Sequence, residues 1–405
     1  MIDKLKYSAA TFREKIGQAS LKILGNEKYD KNQFCSPFSI QSALGMLLSG
    51  TNGNTKSQIE DTLFSAWKSG TEREKRVQPH QSLFLLTNEV SKPYKEGNNT
   101  FNIANRLYIQ NDFEITSAFK SSTEKCYDAD AHNVDFTKSE ETRKEINKWV
   151  EKKTMNKIEE LLPKNSLSSN TKLVLINAIY FYGSWKYEFN ASLTKKQDFK
   201  IYSTGSKKTL KSKGKVRVDM MSQAGNFTFC RLEGIAAEIL KLDYTEERLS
   251  MLIILPNKDD GLAEVSKSMG KFNYTTCVEK SFARKAEIFV PKFEIKAEYQ
   301  MKKILSEAGM TDVFDSNKAD LSGIAKGGKG GHLFVDEVYH QAFVSVNEKG
   351  TEAAAATGIV VTTKSGPKTF KCDHPFLFMI VENQFGNVLF EGSLSNPSVG
   401  LNEKK

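Results

Sequence analysis

The residue types that point to chemistry crowd into one stretch near the C-terminus: Val346-Asn347-Glu348-Lys349-Gly350-Thr351-Glu352-Ala353-Ala354-Ala355-Ala356-Thr357-Gly358-Ile359-Val360-Val361-Thr362-Thr363-Lys364-Ser365-Gly366-Pro367. Its local preferences conflict. Four consecutive alanines favour helix while Ile359 to Thr363 favours strand, and such conflict marks functional segments. A long exposed loop is one reading. If the segment entered a sheet, alternate residues Thr351, Ala353, Ala355, Thr357, Ile359 and Val361 would face a core. All are small or apolar, and no proline between Glu348 and Lys364 removes a ladder hydrogen bond. Gly350 supplies a backbone pivot at the base. The stretch is therefore compatible both with an exposed loop and with a strand inside a sheet.

Other chemistries fare worse. Gly323-Ile324-Ala325-Lys326-Gly327-Gly328-Lys329-Gly330 approaches a phosphate-binding loop, but Gly330 stands where Ser or Thr must hold the metal and no strand pattern precedes it. No G-x-S-x-G elbow occurs, so a serine hydrolase is not expected. Five cysteines (Cys35, Cys126, Cys230, Cys277, Cys372) are odd in number and far apart, with no C-x-x-C pair and only five histidines beside them. Neither a disulfide framework nor a metal site is expected, and no cofactor. The run Lys207, Lys208, Lys211, Lys213, Lys215 and Arg217 could hold a heparin-like glycosaminoglycan by counterion release, in keeping with the net charge of +9, against the plainer reading of a solvated basic loop. No nucleic-acid partner is expected.

The elements that would position the loop are those of an α+β protein. The chain has 405 residues, 39% hydrophobic and 26% charged, ample for a buried core and unlike a disordered chain. Helices are expected over Tyr7 to Leu24, from Ser36-Pro37 onward, over Glu145 to Leu162 and around Tyr299 to Ala308. Ser36 can cap the second of these, with Pro37 at its first position. Strand-like runs dominate later: Leu173 to Tyr182, Phe227 to Leu232, Ala237 to Leu242, Leu249 to Leu255, Glu287 to Phe293, Phe376 to Val381 and Asn387 to Phe390. The longest apolar runs fall short of the roughly 20 residues that cross a bilayer, so no membrane span is expected. Gly327-Gly328-Lys329-Gly330-Gly331 reads as a short flexible loop rather than a linker.

Asn347-Glu348-Lys349-Gly350-Thr351-Glu352-Ala353-Ala354-Ala355-Ala356-Thr357 closely resembles the hinge of the serpin family. The resemblance extends, in order, through Phe34-Cys35-Ser36-Pro37-Phe38-Ser39-Ile40, Asn177 to Trp185, Pro291-Lys292-Phe293, Ala319 to Ile324, His374-Pro375-Phe376-Leu377-Phe378 and Asn396-Pro397. It implies one domain over residues 1–405, with three β-sheets, eight or nine helices and an exposed reactive-centre loop over about 348–369. Counting sixteen positions beyond the hinge Glu348 gives Lys364 as the bait residue and Ser365 as the leaving side. It further implies a monomeric suicide-substrate inhibitor, not an enzyme, which traps a trypsin-like serine protease in a covalent 1:1 complex. The competing reading is a non-inhibitory family member that binds, stores or chaperones.

Ser36, Ser39, Asn177 and His340 match a hydrogen-bonded cluster beneath the family's opening sheet, and Trp185 matches a tryptophan near the loop's entry point. Two departures stand out: Gly358 inside the bait loop, and Asp243 where a proline is frequent before Tyr244. The start of the chain lacks an apolar signal core, which favours a cytoplasmic protein. Family habit and the sequons at Asn98, Asn190, Asn226 and Asn273 favour an extracellular one, and this is the expectation adopted.

Overall fold

The computed structural model describes residues 30–68, 100–127, 129–204, 210–328, 332–350, 368–384 and 386–399. Strand β1 (Gln33–Cys35) runs into helix α1 (Pro37–Leu48), where the Ser36 hydroxyl accepts from the Ser39 amide as an N-cap. Every residue of α1 is buried, so it is a central helix rather than a surface one. There follow α2 (Gly53–Lys68), β2 (Thr100–Gln110), β3 (Phe113–Ile115), α3 (Ser117–Tyr127), β4 (Asp130–Val134) and α4 (Ser139–Lys153).

The remainder is mostly strand: β5 (Leu173–Tyr182), β6 (Lys195–Thr204), β7 (Leu210–Cys230), β8 (Ala237–Asp243) and β9 (Leu249–Pro256). Two short helices, α5 (Leu262–Ser268) and α6 (Tyr274–Glu279), precede β10 (Phe282–Pro291) and β11 (Phe293–Gln300). Then come α7 (Lys302–Glu307), β12 (Ala325–Gly327), β13 (Glu337–Val346), β14 (Lys368–Lys371), β15 (Phe376–Glu382) and β16 (Asn387–Leu394). No helix among the described residues is long and apolar enough to cross a membrane.

Three sheets result, as the resemblance implied. The largest runs β1-β16-β15-β9-β8-β7-β10-β14, with β6 also paired to β7. The second runs β11-β13-β5-β2-β4, and the third is the β12-β3 pair. The long β7 joins the parts of the first sheet: residues from Leu210 pair with β6, and Met220 to Phe229 pair with β10. In the five-stranded sheet β5 is buried along nine of its ten residues, the pattern of a strand covered on both faces. Helix α1 packs on one face of it and α4 on the other, where Ile146 and Val150 meet Tyr108, Ile176 and Tyr339.

Seven α-helices lie among the described residues, against eight or nine expected; the first expected one, Tyr7 to Leu24, lies outside them. The helix expected over Glu145 to Leu162 begins earlier and stops at Lys153, and Met155 and Asn156 follow with φ of 52° and 60°. Its later apolar residues Ile158, Leu161 and Leu162 do reach the same core, but from a folded-back segment. Asn147 holds that segment. Its Oδ1 accepts from the amides of Leu161 (3.1 Å) and Leu162 (2.8 Å), and its Nδ2 donates to the Leu162 carbonyl at 2.9 Å. The helix expected from Tyr299 starts only at Lys302, because Tyr299 and Gln300 still pair with His340 and Tyr339.

Asn147→Ala would leave two buried backbone amides without acceptors. The expected cost is about 2–4 kcal/mol of stability in denaturant unfolding; a change below about 0.5 kcal/mol would show that the segment is held by its apolar contacts alone.

Candidate functional site at the seam of the five-stranded sheet

Strand β13 pairs with β5 in parallel, from Glu337 opposite Val174 to Phe343 opposite Tyr180. The last residues of each, Val344 to Val346 and Phe181 to Tyr182, continue beyond this ladder, so the two strands part at one end. Midway along the seam His340 lies opposite Asn177, and the His340 Nδ1 bonds the Asn177 Oδ1 across it. On the other side of the ring the Ser36 amide donates to His340 Nε2 at 3.2 Å. Because Nε2 is the acceptor, the ring proton sits on Nδ1.

The cluster closes on itself. Asn177 Nδ2 donates to the Ser39 hydroxyl (2.6 Å), the Ser39 carbonyl (3.2 Å) and the Asn105 Oδ1, while the Ser36 hydroxyl donates to the Leu389 carbonyl at 2.6 Å. Ser36, Ser39, Asn177 and His340 are thus brought together as the sequence implied, at 0–1% exposure. They do not form a catalytic triad. The imidazole meets the backbone amide of Ser36, and the Ser36 hydroxyl is engaged elsewhere. Burial alone holds the His340 imidazole down to a pKa of about 3, so it stays neutral near pH 7.

Beyond Val346 the chain makes a tight turn, with Asn347 and Gly350 exchanging backbone hydrogen bonds of 2.9 and 3.2 Å. The turn docks on the segment that follows β5: Gly350 bridges Ser184, the Trp185 amide donates to the Lys349 carbonyl (3.1 Å), and Trp185 Nε1 donates to the Asn347 carbonyl (3.0 Å). Trp185 is in turn stacked on Tyr244, ring centroids 4.6 Å apart. Gly350 has φ of +118°, and a Cβ there would lie 2.3 Å from the Gly183 carbonyl oxygen. Only glycine fits.

Glu348 completes the base. It pairs with Lys292 Nζ at 2.9 Å and accepts from the Thr194 hydroxyl at 2.8 Å, while its carbonyl accepts from the Phe189 amide. Burial pushes its carboxyl up, but the Lys292 and Thr194 bonds outweigh burial and leave it below the usual glutamate range.

The remaining hinge residues, Thr351, Ala353, Ala354, Ala355, Ala356 and Thr357, and the bond Lys364-Ser365 lie outside the described residues, as do Lys207 and Lys208. Lys211, Lys213, Lys215 and Arg217 are exposed along β7, where a register shift against β6 between Ile201 and Tyr202 interrupts the alternation of faces. Asp198 of β6 pairs with two of them, Lys215 at 3.4 Å and Arg217 at 3.2 Å. Sequence reasoning missed Asn105, Lys292, Thr194 and Tyr244. A buried asparagine in β2 was the available signal for the first, and Lys292 lies within the Pro291-Lys292-Phe293 match without having been given a role, whereas Thr194 carries no pattern of its own. Asp243, noted as a departure, accepts from Ser250 Oγ and pairs with Lys241, both at 2.6 Å.

Two outcomes test this geometry. The unfolded chain takes a proton at His340 below about pH 6.5, whereas the folded chain excludes it down to about pH 3. Stability from this group is therefore intact above pH 6.5 and falls as pH drops through the window between, by about 2 kcal/mol from pH 7 to pH 5. Denaturant unfolding at both pH values, with His340→Asn losing that part of the pH slope, checks it. Gly350→Val should undock the turn, speeding hydrogen exchange at the Trp185 amide by about tenfold or more; unchanged exchange would mean that other contacts hold it.

The comparisons agree with this architecture. A family profile described as Serpin (serine protease inhibitor) matches residues 13–397. The chain is 38% identical over 382 residues to Serpin B13 of Homo sapiens, covering 91% of this chain and 94% of that one. It is 39% identical over 373 residues to the leukocyte elastase inhibitor of Xenopus laevis, covering 90% and 93%. Among solved structures, Serpin48 of the insect Tenebrio molitor superposes with a TM-score of 0.78 at 28% identity, over 97% of this chain and 98% of that one. A profile spanning most of the chain, relatives matched nearly end to end and a shared three-sheet fold leave one conclusion: the chain belongs to the serpin family of serine protease inhibitors.

Proposed function

We propose that this chain is a single-use covalent inhibitor of trypsin-like serine proteases, offering the Lys364-Ser365 bond as bait and inserting Thr351 to Lys364 between β5 and β13. The observation that carries this reading is the seam itself. It is a parallel pair that parts beyond Phe343 and Tyr180, and the turn from which residue 351 departs docks beside that end. A strand returning from the turn would run antiparallel to β13, and, since β5 is parallel to β13, antiparallel to β5 as well. Insertion exchanges one parallel interface for two antiparallel ones, which are the more stable per residue. Strands β5 and β13 are ten residues each, so the inserted segment would fill the seam and carry Lys364 roughly 48 Å, at about 3.4 Å per residue.

The bond chemistry belongs to the protease. A lysine side chain suits a specificity pocket with a carboxylate at its base, and the protease serine attacks the Lys364 carbonyl. The bond to Ser365 breaks, its amine takes a proton from the protease's histidine, and Lys364 remains as an ester on the serine. Inhibition is then a race between insertion, which drags and distorts the protease, and attack of water on that ester. Small residues at Thr351 and Ala353 to Ala356 favour insertion and so favour inhibition over the non-inhibitory alternative.

Two finer points follow from the same reading. Asp198 neutralises part of the basic row on β7, which supports a solvated strand face over a glycosaminoglycan site. All five cysteines are free thiols and four are buried, which supports a reducing compartment, the cytoplasmic alternative rather than the extracellular expectation.

Mixing the protein with trypsin at equal molarity should give a band that survives SDS at the summed mass, and a released fragment beginning at Ser365. Thr351→Arg or Ala353→Pro should still be cleaved after Lys364 but lose the stable complex. Cleavage with trypsin left fully active in the unaltered protein would favour the non-inhibitory reading, and trapping by Ala353→Pro at an unchanged level would overturn the insertion step.

A further inference from the structure

The end of β7 and helix α6 bring two thiols together in a satellite core, separate from those that flank the seam. Phe282, the first residue of β10, pairs with Phe229 of β7. Just before it the Ser281 amide and hydroxyl both donate to the Val278 carbonyl, at 3.1 and 2.7 Å, in a turn that folds α6 back onto the end of β7. Side chains alternate between the faces of a strand. Phe229 accordingly joins the main core, while Cys230 points the other way, into the satellite core that it shares with Cys277 of α6. There the Cys277 thiol donates a hydrogen bond to the Cys230 sulfur. The two residues are 3% and 4% exposed. Strand register, a shared face and the thiol contact thus agree in setting the two sulfurs side by side.

We propose that Cys230 and Cys277 are a redox-responsive pair, which a hydroperoxide closes to a disulfide. The bond from Cys277, with the positive charge of Lys280, holds the Cys230 thiol below the usual thiol range against the opposing effect of burial. Cys230 is therefore the sulfur that ionises first, and the thiolate is the nucleophile. It attacks one peroxide oxygen, the O–O bond breaks, and hydroxide leaves with the electron pair, giving a sulfenic acid at Cys230. The Cys277 sulfur then attacks that sulfur, the S–O bond breaks, and the Cys277 proton leaves with the hydroxide as water. Overall the two thiols lose two electrons and two protons, and one peroxide becomes two waters. Cys35 and Cys372 are the contrast: burial, reinforced by Glu391 and Asp373 respectively, pushes both thiols well above the usual range, which leaves them protonated and inert.

Closure moves the sulfurs only from hydrogen-bond contact to about 2.05 Å. Helix α6 is six residues long and its Val278 is 47% exposed, so a small local opening admits peroxide. The bond would link β7 to α6 across residues 231–276, a stretch that contains β8, β9 and α5. Hydrogen peroxide added to the reduced full chain is the test, followed by alkylation, thiol counting and peptide mass spectrometry. Two of the five thiols should be lost, one peptide pair should join Cys230 to Cys277, dithiothreitol should reverse it, and the thermal unfolding midpoint should rise. Cys277→Ser should instead leave Cys230 as a sulfenic acid that dimedone captures, about tenfold or more faster than Cys35 or Cys372. Five thiols surviving excess peroxide would overturn the pair. So would a disulfide made through Cys126, or a reaction of the unaltered chain that stops at the Cys230 sulfenic acid with the Cys277 thiol still present.

Discussion

The pairing of β13 with β5 is the constraint on which the rest of the molecule turns. Its ladder is short, its strands are covered on both faces, and midway along it the side chains of His340 and Asn177 bond across the pair. Around that bond Ser36, Ser39, Asn105, Asn177 and His340 find partners from α1 and its cap, β2, β5, β13 and β16. Parting the seam strips His340 and Asn177 of each other, at about 1–3 kcal/mol for each buried group left unpaired. In the proposed mechanism an incoming strand would bring its own N–H and C=O groups to the two exposed ladder edges, so the same opening would be unfavourable when empty and favourable when filled. That asymmetry is what a latent insertion mechanism requires.

In the proposed mechanism the turn at residues 347–350 would give that asymmetry a direction. The chain leaves β13 through a turn that only glycine can make at residue 350, and the turn is held by Trp185 and by the Glu348 contacts with Lys292 and Thr194. These contacts fix the near end of the loop at the point where the seam parts. The far end re-enters the other sheet, Lys368 pairing with Ala286 of β10 in parallel. Residues 351–367 thus connect two sheets rather than two neighbouring strands.

Neutral histidine at a buried seam is a consistent choice of residue. Imidazole supplies one donor and one acceptor in fixed directions, which a serine or asparagine in its place could not aim at both the Ser36 amide and Asn177 across the pair of strands. The same burial that makes the contact strong keeps the ring unprotonated. His374 is a second buried ring, and it faces the carboxylates of Asp373 and Asp259 instead of amides.

The sequence by itself determined the local choices: the Ser36 cap with Pro37 after it, the continuous apolar strand around Asn177, the pivot at Gly350 and the run of small residues beyond it. Each is a property of neighbouring residues, or of a spacing along one strand, and so can be read without coordinates. Pattern failed where the apolar period outlasted the element. Ile158, Leu161 and Leu162 keep helical spacing, yet reach the core from a folded-back segment because Asn147 captures their backbone. Only the tertiary structure decided which strands form the seam, that Asn105, Thr194 and Lys292 complete its supports, and that Asp259 meets His374. Those contacts depend on long-range register, in which a polar side chain gains meaning from partners far along the chain, and nothing in its immediate sequence records who those partners are.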